Sequence, residues 1–132
     1  MKNITLRFAE KKDIPALAEN RLRFLHELQY TFDDEICLRE TVHFFEAELD
    51  HLIFAYLAED TNRVLAVGFL LIQQRPFHPH GKNGWTGEIL NMYNEPVARG
   101  QGLGAQVFDA LVAKGKLLGL DKLVLSHAEM DG

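Results

Sequence analysis

The 132-residue chain has a single cysteine, Cys37, so it lacks the pair needed for an internal disulfide. That suits a reducing compartment. Basic residues are in the minority, with 14 Lys and Arg against 19 Asp and Glu and a net charge of −5. A grip on nucleic acid needs a basic face to displace counterions, so no nucleic-acid partner is expected. The longest apolar run, Val64 to Ile72, is far short of the ~20 residues of a membrane helix. The first eight residues alternate and are too polar for a signal-peptide core. Internal repeats, low-complexity tracts and linkers are absent as well. These absences predict a soluble, cytoplasmic protein with no membrane partner, built as one domain over residues 1–132.

What is present is an ordinary globular mixture, 47% apolar and 25% charged. A domain of this size buries roughly two thirds of its unfolded surface and needs no staples. Ile4, Leu6 and Phe8 alternate with Thr5 and Arg7, the period of a half-buried strand. Ile14, Leu17, Ala18, Leu22, Leu25 and Leu28 recur at helical spacing and predict a helix over 13–29. Pro15 falls in its first turn, where its missing N–H is not needed. A second helix is expected over 35–49, with Asp33, Asp34 and Glu35 at its positive end. Two β-rich stretches, 52–58 and 64–73, flank the turn Asp60-Thr61-Asn62-Arg63 and read as a hairpin. Residues 76–84 hold two prolines and two glycines and read as a loop. A strand over 86–93, a helix over 101–118 and a strand over 122–125 complete the order β-α-α-β-β-β-α-β, a mixed α/β domain.

The stretch Glu88-Ile89-Leu90-Asn91-Met92-Tyr93-Asn94-Glu95-Pro96-Val97-Ala98-Arg99-Gly100-Gln101-Gly102-Leu103-Gly104-Ala105 carries the most information. A strand ends, a short loop follows, and glycines open a helix. Such a helix start offers unpaired N–H groups and a positive dipole end. Gly102 and Gly104 lack a Cβ, so several N–H groups can converge on phosphate oxygens. Arg99 stands where it would add a formal charge at the rim. The reading is a pyrophosphate-binding loop. A plain tight turn with a solvated arginine is the simpler alternative. Gly100, Gly102 and Ala105 also fit the dinucleotide fingerprint G-x-G-x-x-G/A. That fingerprint follows its strand directly and opens a large parallel sheet. Here six residues separate Tyr93 from Gly100 and only one strand remains, so a dinucleotide fold does not fit.

Arg99-x-x-Gly102-x-Gly104 is similar to the R/Q-x-x-G-x-G/A signature of the GNAT superfamily, the acyl-CoA-dependent N-acetyltransferases. The resemblance runs from Ile4 to the C-terminus and includes the leading strand, the Asp13-Ile14-Pro15-Ala16-Leu17 helix start and the hairpin. Ile89 to Tyr93, followed by Pro96 and Arg99-Gly100, resembles one bacterial branch. The resemblance implies a central sheet, mostly antiparallel, with one parallel β-α-β unit at the glycine loop. It implies acetyl-CoA as acyl donor, with its pyrophosphate on the amides of Gln101, Gly102, Leu103, Gly104 and Ala105, in the loop that Arg99 and Gly100 begin. It also implies a bulged strand that splays from the next one, with the pantetheine arm pairing near Asn91, Met92 and Tyr93. A backbone N–H there would polarise the thioester carbonyl. The family's C-terminal helix and hairpin have no counterpart before Gly132, so a short member is expected. Its last strand would be an open edge carrying Leu123 and Leu125, which predicts a homodimer.

Acetyl transfer needs a neutral amine, and a positioned base helps by roughly 10²–10⁴-fold. Glu88, eleven residues before Arg99, is the candidate base, similarly placed to that of the histone-acetylating branch; a solvent-facing strand residue is its simpler reading. The family's thiolate acid is a tyrosine on the helix that has no counterpart here. Tyr93 and Tyr30 are candidate stand-ins, although neither matches the family position. The six histidines form no ligand pattern at zinc spacing, so no metal is expected, and His43, His51, His78 and His80 read as surface or packing residues. Asp33, Asp34 and Glu35 read as helix-end charges, with attraction of a cationic acceptor as the alternative. Phe44, Phe45, Phe54 and Phe69 read as core. The function expected is N-acetyl transfer to a small-molecule or protein amine. The alternative is a non-catalytic acyl-CoA-binding module that kept the loop and lost the acid.

Overall fold

The computed structural model describes residues 3–126. Strand β1 (Thr5–Phe8) leads through a short 3₁₀ turn into helix α1 (Ile14–Glu27), with Pro15 in its first turn as expected. Helix α2 (Asp34–Glu48) follows. The Asp33 side chain caps it by accepting from the Ile36 N–H at 3.0 Å. Asp34, in its first turn, bonds His26 near the end of α1 at 2.8 Å. Strands β2 (Ile53–Glu59), β3 (Val64–Gln74) and β4 (Trp85–Asn94) then form a meander, with a single turn of 3₁₀ helix after β4. Helix α3 (Leu103–Leu117) crosses back to β5 (Lys122–Leu125).

The sheet runs β1-β2-β3-β4-β5, antiparallel except for the parallel β4–β5 pair. The mixed α/β topology and the parallel unit at the glycine loop are therefore as expected. The expected fate of the chain beyond β5 lies outside the described residues.

β3 is buried on both faces, which explains its unbroken apolar run. On one face Val107 and Leu111 of α3 pack with Phe54, Leu70 and Ile89. On the other, Leu17 of α1 and Phe45 of α2 pack with Leu57, Val67 and Phe69. Each of these fully buried side chains contributes about 1.5–3 kcal/mol. Phe45, Phe54 and Phe69 are core residues, but Phe44 is not: it stays 41% exposed. Of α2, only Phe45 is buried outright, so the helix leans on the sheet along one narrow line and Phe44 stands at its side. The buried face of α1 also differs from the expected one. Asn20 and Phe24 are buried, whereas Leu22, Leu25 and Leu28 are half-buried.

The loop between β3 and β4 is fastened to the turn before β5. The Asp121 carboxylate accepts the N–H groups of Lys82 (2.9 Å), Asn83 (3.2 Å) and Gly84 (2.8 Å). These amides, Lys82 first, hold the Asp121 carboxyl below its ordinary pKa.

Candidate functional site

β4 departs from regular pairing at one point. Val67 faces Tyr93 and Phe69 faces Leu90, so Gly68 alone stands opposite Asn91 and Met92. This bulge adds one residue to β4 and reverses the side-chain alternation. Before it, Ile89 faces α3 and Leu90 faces α1 and α2. After it, Met92 packs on the α3 side while Asn91 and Tyr93 meet α1. Asn91 has φ +57, the left-handed region that Asn tolerates better than most residues. Gly68 is required opposite the bulge. A Cβ there would lie 2.5 Å from Met92 Sδ and 2.9 Å from both Leu111 and Val107.

β5 accompanies β4 only from Thr86 to Ile89, and the Ser126 N–H bonds the Ile89 carbonyl at 2.9 Å. Among the described residues no strand lies on that side of Leu90 to Asn94. Among the described residues the parallel pairing of β4 with β5 thus stops short of the bulge.

The glycine loop stands at the end of the same strand. Gly100 (φ +83) and Gly102 (φ +78) take left-handed conformations, and nothing among the described residues lies within 4 Å of where either Cβ would be. Gly102 is the N-cap of α3 and brings no side-chain cap, and the first turn of the helix carries no acid. Among the described residues, the amides of Leu103, Gly104 and Ala105, the first turn of the helix, thus meet neither a side-chain cap nor an acid of their own turn. An anion is the natural occupant. The residues present therefore fit a pyrophosphate group.

A row of contacts fixes α1 against the end of β4. Asn91 Nδ2 donates to Asn20 Oδ1 at 2.9 Å, and Arg21 donates to Asn91 Oδ1 at 3.3 Å. The Tyr93 ring meets Phe24 with centroids 5.9 Å apart, and Arg23 pairs with the buried Glu95 at 2.8 Å. Arg99 donates to Glu27 at 2.6 Å and to the Asn94 carbonyl at 3.1 Å, and lies over the Tyr93 ring. Arg99 thus reaches toward α1, and its hydrogen bond to Glu27 raises its pKa further. Burial, with help from the Glu95 charge, pushes the Tyr93 phenol up, so it stays protonated at neutral pH. The sequence reading missed Asn20, Arg21, Arg23 and Glu95. The available signal was Asn20, a polar residue on the buried face of α1.

Glu88 is half-buried, opposite Leu71 on β3 and Val124 on β5. Among the described residues no hydrogen bond or ion pair engages its carboxylate. The two candidate catalytic residues are not adjacent. At ~3.3 Å per residue, Glu88 lies about 10 Å before the bulge and Tyr93 about 7 Å beyond it. Tyr30 is exposed after the end of α1. Among the described residues no three His, Cys, Asp or Glu side chains gather as a metal site, and no helix is long and apolar enough to cross a membrane. His127 lies outside the described residues.

Known proteins share this fold. The model of the acetyltransferase (GNAT) family matches residues 19–131. A predicted acetyltransferase from Clostridium acetobutylicum, crystallised with acetyl-CoA, is 30% identical with a TM-score of 0.86, over 94% of this chain and 80% of that one. A GCN5-related N-acetyltransferase from Ralstonia eutropha is 22% identical (TM-score 0.76, 94% and 83% covered). Glucosamine-6-phosphate N-acetyltransferase from Arabidopsis thaliana is 21% identical (TM-score 0.70, 95% and 82% covered); these last two share the fold. A search of the curated proteins found no match. The chain belongs to the GNAT family of acetyltransferases.

Proposed function

We propose that the protein moves the acetyl group of acetyl-CoA to a primary amine on a small molecule or a protein. The observation that carries this reading is the start of α3 without a side-chain cap, beside the bulge of β4. The loop amides from Gln101 to Ala105 hold the pyrophosphate. The bulged stretch Asn91, Met92 and Tyr93 takes the pantetheine arm and polarises the thioester carbonyl. Glu88 receives the amine proton, directly or through a water. The amine nitrogen then bonds the acetyl carbon as the carbon–sulfur bond breaks. Tyr93, held protonated and nearer the bulge, supplies a proton to the departing thiolate and is reprotonated, through solvent, by the second proton that the new amide nitrogen gives up. The donor family supports this assignment, and nothing in the comparisons supports the non-catalytic module. A cytoplasmic setting belongs to the same reading, on the strength of the lone Cys37.

The test is binding and turnover. CoA at ~100 times its Kd should stabilise the fold by about 2.7 kcal/mol, read as a rise in Tm. Acetyl-CoA with an amine panel should release thiol. Absence of any CoA-dependent shift would overturn the assignment.

A further inference from the structure

Between α1, α2 and the sheet lies a cleft of about 240 Å³ walled by Phe44, Phe45, Ile53, Phe69, Leu71 and Leu90. It explains the exposure of Phe44, whose ring stands edge-on to Phe45 at the side of the cleft. An apolar cavity of about 150 Å³ holds a benzene ring, so this one has room for a ring and a short aliphatic arm. Its floor neighbours the candidate base in the sheet. Leu71 is the direct β3 partner of Glu88, and Leu90 lies two positions along β4 on the same face.

Charge narrows the choice of ligand. Arg21 and Glu40 also border the cleft, but Arg21 is bonded to Asn91, and Glu40 pairs with Arg39 at 3.3 Å. The half-buried Glu88 carboxylate has no such partner among the described residues. A cation beside an apolar group matches this arrangement. A phosphorylated sugar would have to lay its polar ring and phosphate on an apolar floor, and a polyamine would lay a second charge on it.

We propose that the acceptor is an amine carried on an apolar, ring-sized group, with that group in the cleft and the ammonium beside Glu88. This rests on the acetyl-transfer reading above.

The experiment compares 2-phenylethylamine, spermidine and glucosamine 6-phosphate by thiol release. The expected result is kcat/KM for 2-phenylethylamine at least about tenfold above either polar amine. Phe44→Ala should raise its KM several-fold and leave acetyl-CoA affinity, measured by calorimetry, unchanged. Phe44 is partly exposed, so the variant should fold. Ligand-observed NMR should detect 2-phenylethylamine on the parent chain, with and without CoA, and lose it in Phe44→Ala. Equal or faster turnover of a polar amine, or a parent chain that does not bind 2-phenylethylamine, would overturn the proposal. A chain that binds 2-phenylethylamine but not CoA would instead overturn the acetyl-transfer reading and leave the cleft assigned.

Discussion

Asn91 on the β4 bulge and Asn20 on α1 share a buried hydrogen bond of 2.9 Å, and both side chains are about 1% exposed. A bulge held only by its strand partner could relax, whereas this one is tethered from the opposite wall. Asn20→Ala removes the acceptor of the Asn91 amide, at a cost of about 1–3 kcal/mol. At the bulge itself, Asn91→Gly should be tolerated better than Asn91→Val, because a β-branched residue is strained at φ +57. Urea unfolding of the three variants checks both statements. An Asn91→Val chain as stable as Asn91→Gly would mean that the bulge had shifted register.

Gly102→Asp separates folding from donor binding. A left-handed non-glycine residue costs about 1–2 kcal/mol, and a carboxylate at a helix N-terminus returns about 0.3–1 kcal/mol. Because nothing among the described residues lies within 4 Å of the new Cβ, Tm without ligand should fall only slightly. The CoA-dependent rise should vanish, since the carboxylate occupies and repels the anion site. Retention of the parental CoA shift would count against the loop.

Glu88→Gln should lower kcat most at pH values below the pKa of the acceptor amine, where a base is needed, with CoA affinity nearly unchanged. Parental kinetics across the pH range would leave Glu88 as a surface residue beside Leu71.

Acid stability should depend on Asp13. Its carboxyl accepts from Arg7 at 2.8 and 2.9 Å and from the Glu10 N–H at 2.7 Å, while Arg7 also donates to Glu59 at 2.7 Å. The Arg7 hydrogen bonds, followed by that from Glu10, hold the Asp13 carboxyl below its ordinary value. The folded pKa thus lies below the unfolded one. The contribution is complete above the ordinary carboxylate range near ~4 and is lost as pH falls through the lower folded value. Urea midpoints between about pH 7 and about pH 2 should fall less steeply for Asp13→Asn than for the parent.

The elements were legible because their signals are local: alternation in β1, three-and-four spacing in α1, and turn residues at 60–63. The start of α3 was placed two residues too early, because Gly100 and Gly102 take positive φ and delay the helix to Leu103. The glycine loop was legible as a loop. Its surroundings were not, since Asn20–Asn91, Arg23–Glu95 and Glu27–Arg99 join residues about seventy positions apart. Phe44 looked like core because helical spacing cannot tell a line of contact from a broad one.

Self-association through β5 is a further proposal. Among the described residues β5 is an outer strand, and Val124 is 43% exposed on it. Light scattering at micromolar concentration should give a dimer, and Val124→Lys should shift it toward monomer. A parent chain that stays monomeric would refute the proposal.

The Asp121 clamp makes the hairpin loop and β5 a single cooperative unit. One carboxylate holds three amides of the 76–84 loop, so the loop cannot come away from the sheet without loosening the turn that delivers β5. In hydrogen exchange, Lys82 and Gly84 should therefore open with the β4–β5 ladder at one shared free energy, rather than at the low value of an independent surface loop. A connector whose composition suggests slack is in this way part of the frame that sets β5 beside the start of β4.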